Sequence, residues 1–362
     1  MATYKEIKGV TVQTLDADPV TSGGSWSSGP AINTARFQAA GAGATQGASY
    51  IIGGAIPGTS PNISALHEQF NGSSWTEAGD LGTAKYALGT FGTPSAALVT
   101  GGYATPGYSN TTENWNGSSW TSGTSSNTTR GYMGASGVTT AGLIYGGMPG
   151  ATGNTESYNG SSWTETGDLN TARYGNKGAG TQTAGLTFAG TTGGSNRQTT
   201  TEKFDGTSWT EVNDLNAGRT DVGSLGPTQS TAMCAGGNTS PGANFTNAVE
   251  NFDGTSWTEV TETNANKHGA AGSGTTTSGL IFGGNIPSVT AATEFWNGTT
   301  WTEVSDLGTA RSSLGGAGTS TSAIAFGGNT PTRTAAVEEW TAPSTFNQIQ
   351  EGQLYYLSLI HI

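Results

Sequence analysis

Apolar and polar residues alternate along this chain in short bursts, separated by clusters of Gly, Asn, Asp, Ser and Thr. A period of two marks half-buried β-strands, and no stretch keeps a 3.6-residue period long enough to predict a helix. Residues 159–173, NGSSWTETGDLNTAR, hold the clearest copy of a recurring unit. Asn159-Gly160 is a turn pair that tolerates positive φ. Trp163 follows on an alternating strand, and the segment runs out to one basic residue, Arg173.

The unit recurs seven times, with its tryptophans at Trp26, Trp75, Trp120, Trp163, Trp209, Trp257 and Trp301. Ten residues after each stands a base: Arg36, Lys85, Arg130, Arg173, Arg219, Lys267 and Arg311. Between units the chain keeps the same beats. A Gly/Ala-rich strand comes first, then a more apolar strand ending in Gly-Gly, with Ala189-Gly190 as the departure. A polar loop follows, then a third strand with an acid two residues before an aromatic ring. The acids are Glu68, Glu113, Glu156, Glu202, Glu250, Glu294 and Glu338.

Four short strands per repeat predict an all-β chain folded as a seven-bladed β-propeller. Crowding at the axis calls for small residues, so the Gly/Ala strand is expected innermost and the Trp strand outermost. The chain opens on a Trp strand without its three inner strands and reaches Trp340 with three strands lacking a fourth. The N-terminal strand is therefore expected to complete the last blade, which removes two open sheet edges. The expected layout is a leader or attachment segment over 1–20, the propeller over 21–340 and a tail over 341–362. The last six residues, LSLIHI, look like a translated sequencing adapter, and the natural chain is expected to continue after about Tyr356.

The Gly-Gly, spaced aromatics and Trp, repeated in step over 21–340, resemble kelch repeats. The regular Gly/Ser/Thr-rich repeats are similar to kelch-like proteins of marine bacteriophages. That resemblance implies a virion component, such as a tail-fibre or host-attachment protein recognising cell-surface glycan. A cellular kelch-type scaffold for protein partners is the alternative.

Composition narrows the chemistry. The 59 glycines fall in register with aromatics and so mark turns and crowded strands. A net charge of −12 with no basic run argues against nucleic acid and anionic membranes. Cys234 is the one cysteine, so no intrachain disulfide forms. No apolar run reaches membrane-spanning length. The start lacks a secretory pattern, so synthesis in the cytoplasm is expected, with the N-terminal segment free to contact other virion proteins.

The seven bases have two readings. Each could pair with a third-strand Glu and fix one blade on the next, or together they could form a cationic ring that gathers an anion near the axis. Length variation is concentrated in the second-to-third-strand loops, which are expected on one face as a binding surface for glycan or protein. Tyr103, Tyr108, Asn110, Arg197, Asn244, Phe245 and Arg333 are the candidate contacts there.

No catalytic residue, metal or cofactor is expected. Kelch-type copper oxidases need clustered His and Tyr with a Tyr–Cys link, whereas the histidines here are His67, His268 and His361. The turn-Trp segment resembles a sialidase Asp-box, but Phe70 and Trp115 stand where its Asp belongs. The sequons at Asn71, Asn116, Asn159 and Asn297 coincide with turns, and Asp205 and Asp253 keep the turn while losing the sequon. Turn formation is thus their shared role.

Overall fold

The computed structural model describes residues 24–58, 62–226, 228–240 and 244–343. The expected leader and nearly all of the expected tail lie outside these residues. The described chain forms seven four-stranded antiparallel sheets arranged as a β-propeller. Blades 1 to 6 take residues 40–77, 89–122, 134–165, 177–212, 223–260 and 271–304. Blade 7 takes Gly315–Gly318, Ser322–Phe326 and Val337–Thr341, and Ser25–Ser28 supplies its outer strand. Trp26 lies opposite Trp340 in that pairing. The Trp26 ring also packs edge-on to Phe282 of blade 6, at 4.9 Å between centroids.

In every blade the Gly/Ala strand is innermost, as in Gly134–Val138, and the Trp strand outermost, as in Trp163–Glu165. Adjacent inner strands crowd around the axis, where a side chain has little room: a Cβ at Gly178 would fall 2.0 Å from the Tyr145 hydroxyl. The apolar core lies in the seams. Leu186 and Phe188 of blade 4, for example, pack with Val222, Cys234 and Trp257 of the next segment. Each turn before a Trp strand is built by its Asn or Asp. Asn159 Oδ1 accepts from the N–H groups of Ser161 and Ser162, and Asp205 and Asp253 do the same.

The seven bases do not form a cationic ring. Each is buried and meets a Glu on the third strand of the blade it leads into. Arg130 reaches Glu156 at 2.6 Å, Lys85 reaches Glu113 at 3.2 Å, and Arg219 touches Glu250. The second Glu oxygen accepts from the backbone N–H three residues before the base, as Asn127 does for Glu156 at 2.6 Å and Asn170 for Glu202 at 2.7 Å. The carbonyl of each base accepts from the second glycine of the preceding blade, at 2.7–3.0 Å in all seven copies. One residue thus ties its backbone to the blade behind and its side chain to the blade ahead. Burial lowers the pKa of Arg36, Lys85, Arg130, Arg173 and Arg311, in each case against the pull of the paired Glu. Buried pairs of this kind fix arrangement more than they add stability.

Candidate binding face

The residue after each base pairs with the residue after the Gly-Gly beat, as in Tyr86 with Tyr103 and His268 with Asn285. Those bridges place the connectors into each blade and the second-to-third-strand loops on one face. Two residues after each base the backbone turns left-handed, with φ of 51–64° at Gln38, Ala87, Tyr132, Gly175, Asp221, Gly269 and Ser313. Five of the seven are not glycine, although a Cβ disfavours this conformation. Backbone hydrogen bonds run between them from blade to blade: Ala87 to Gln38, Tyr132 to Ala87, Gly175 to Tyr132, Gly269 to Asp221 and Ser313 to Gly269. Together they form a collar around the axial mouth.

On one side of the collar four half-buried tyrosines meet. Tyr103 and Tyr108 face each other across the hairpin Tyr103–Ala104/Gly107–Tyr108, with centroids 5.4 Å apart. Tyr86 lies 5.3 Å from Tyr103 and 6.1 Å from Tyr132. The Tyr108 hydroxyl donates to Met148 Sδ at 3.5 Å, and Tyr132 donates to Gln38 Oε1 at 3.5 Å. Gly131 makes room for the Tyr108 ring, because a Cβ there would stand 3.0 Å from it. Burial, then neighbouring tyrosines, raise the pKa of Tyr108 and Tyr132, so both remain neutral phenols. The cluster sets aromatic rings and phenol hydroxyls side by side on this face.

The other residues expected from the loops are placed differently. Asn110 donates its amide to the Ser126 carbonyl at 2.7 Å, which holds the connector into blade 3. Arg197 donates to Gly194 O and Thr191 Oγ1 within its own loop. Asn244 and Phe245 form one strand of a loop hairpin, and Phe245 stacks on His268 at 4.1 Å. Arg333 lies over the Phe37 ring at 4.6 Å. These groups share the face with the tyrosines but stand in blades 2, 4, 5 and 7. The loop readings missed Tyr86 and Tyr132. They sit one and two residues after a repeated base, a spacing at which the other repeats also carry Phe37, Tyr174 and His268.

Next to the tyrosines, from blade 4 to blade 6, the collar carries charge instead: Asp221, with Lys177 and His268 in its field. Burial lowers the pKa of His268, against Asp221. The axis below holds a cavity of about 280 Å³ lined by Gly178, Ser224, Ser273, Gly316 and other inner-strand residues. Among the described residues no group of three or more His, Cys, Asp or Glu is placed to hold a metal. Cys234 is fully buried in blade 5, and burial pushes its thiol up to about 11. Compared with known proteins, the chain matches no protein-family model, and no curated protein is significantly similar to it.

Proposed function

We propose that the protein is a non-enzymatic binding module whose loop face recognises cell-surface glycan. The observation that carries this reading is the cluster of Tyr86, Tyr103, Tyr108 and Tyr132 at the axial mouth. Phenol rings lie flat against the apolar faces of sugars, and their hydroxyls hydrogen-bond the sugar rim. The repeats resemble kelch repeats and those of phage kelch-like proteins, which supports a place in a virion, in a tail fibre or host-attachment assembly. A rigid wheel with tied blades holds the rings in place without ordering cost on binding.

Glycan-array binding of the intact chain, followed by titration of its best glycan, tests the reading. Tyr86→Ala and Tyr108→Ala are each expected to weaken binding at least tenfold, while Arg197→Ala leaves it unchanged. Binding to polypeptide alone would move the function to a protein scaffold.

A further inference from the structure

Six blades begin their innermost strand with Gly or Ala, from Ala40 in blade 1 to Gly315 in blade 7. Blade 4 begins with Lys177. At this position the side chain faces the next blade: a Cβ on Gly89 would meet Ile144, and one on Gly223 would meet Ile281. Opposite Lys177 the corresponding second-strand residue of blade 5 is the smaller Cys234, within electrostatic reach of the ammonium. Blade 5 also has a short innermost strand, Gly223–Leu225. The seam between blades 4 and 5 is therefore the roomy one.

It opens at the mouth. A Cβ on Gly175 would meet nothing within 4 Å, and among the described residues no collar hydrogen bond joins Gly175 to Asp221. The Gly175 N–H is held by the Tyr132 carbonyl at 2.9 Å, so this open notch adjoins the tyrosine cluster. The side-chain nitrogen of half-buried Lys177 makes no hydrogen bond or ion pair among the described residues, while its carbonyl accepts from Thr187 Oγ1 at 3.1 Å. The other described cations are engaged: seven by Glu, Lys203 by the Gly254 carbonyl, Arg197 by its own loop and Arg333 by Phe37.

We propose that Lys177 is an anion subsite of the axial mouth, and that the glycan held on the tyrosines is an acidic sugar whose carboxylate seats there. This rests on the glycan reading of the same face. Burial lowers the pKa of Lys177, against Asp221, and a carboxylate seated beside it would favour the ammonium form. One such charge on a chain of net charge −12 matches a single negative charge and disfavours phosphate dianions and polyanions. The ammonium, three donors without an acceptor, hydrogen-bonds a carboxylate directly.

Calorimetric titration of the full chain with D-glucuronate, D-glucose and acetate tests this, with the Lys177 Nζ resonance followed by NMR. Glucuronate is expected to bind about tenfold more tightly than glucose, as a charge-assisted hydrogen bond provides. Lys177→Gln is expected to abolish that advantage and Lys177→Arg to keep most of it. Equal affinities in the wild type, or an advantage that survives Lys177→Gln, overturn the subsite and leave the glycan reading intact. If neither sugar binds, the glycan array decides the glycan reading and acetate decides the subsite. Acetate that shifts the Lys177 resonance and is lost in Lys177→Gln sustains the anion site, and acetate without effect removes it.

Discussion

Replacing Val337 by Thr should stabilise the protein, although it puts a hydroxyl into a core position. Each outer-strand indole N–H points at the first residue of the third strand in the preceding blade. Trp163, Trp209, Trp257 and Trp26 donate to the hydroxyls of Thr112, Thr155, Thr201 and Thr293 at 2.8–3.0 Å. Trp120 donates to His67 Nδ1 at 3.2 Å. For Trp75 and Trp301 that residue is Val337 or Val249, and both indole nitrogens are buried without a partner. A buried unsatisfied donor costs about 1–3 kcal/mol. Thr is β-branched like Val and suits the strand. Its own proton has an acceptor two residues back, as Thr155 finds at Gly153 O and Thr293 at Ala291 O.

Around Val337 the equivalent carbonyl, Ala335 O, accepts one hydrogen bond, from Ile32. Around Val249 the Asn247 carbonyl already accepts from both Thr263 N and Thr263 Oγ1. Val337→Thr is therefore expected to gain about 1 kcal/mol, and Val249→Thr less. Urea denaturation followed by tryptophan fluorescence measures both. A cycle with Trp75→Phe isolates the pair, with a coupling of about 1 kcal/mol expected. A Val337→Thr protein less stable than wild type, or a coupling near zero, would refute the reasoning.

Three further outcomes follow from the same seams. Ala189 holds φ 58° where six blades have glycine, so Ala189→Gly is expected to stabilise by roughly 0.5–1 kcal/mol in the same urea assay. Burial lowers His67 to about 4, so it is neutral in the fold and its Nδ1 accepts from Trp120. Its contribution is complete above the unfolded value near 6.5 and fades as pH falls toward 4; a loss on the order of 2 kcal/mol should appear in urea midpoints over that window and be absent in His67→Gln. Removing one partner of a buried pair, as in Glu156→Met, should cost about 3–5 kcal/mol by leaving Arg130 unpaired, and adding Arg130→Met should recover most of it.

The spacing of Trp, base, Glu and Gly-Gly was enough to read the blades, their number and the closing strand. Each of those positions answers to geometry within one repeat or at its border, so it recurs at fixed intervals. What stayed hidden depends on neighbours brought together by the wheel. The Thr-or-Val choice beneath each indole has meaning only across a seam, between residues such as Trp75 and Val337 that are far apart in the chain. The collar was not legible because five of its seven left-handed residues carry side chains, and glycine is the sign one reads for. Tyr86 and Tyr132 stand in connectors of constant length, where no variation between repeats marks them. Lys177 was one more cation until six small counterparts at its place made it an exception.

The closing strand Ser25–Ser28 pairs with Val337–Thr341, and Ser27 Oγ donates to the Glu339 carbonyl across 312 positions of sequence. On the ribosome that leading strand has no berth until the final repeat has emerged. Until then the other blades keep one flank bare, and closing the ring joins two segments made 312 positions apart. A chain cut short before Val337–Thr341 is therefore an open crescent with two unpaired sheet edges.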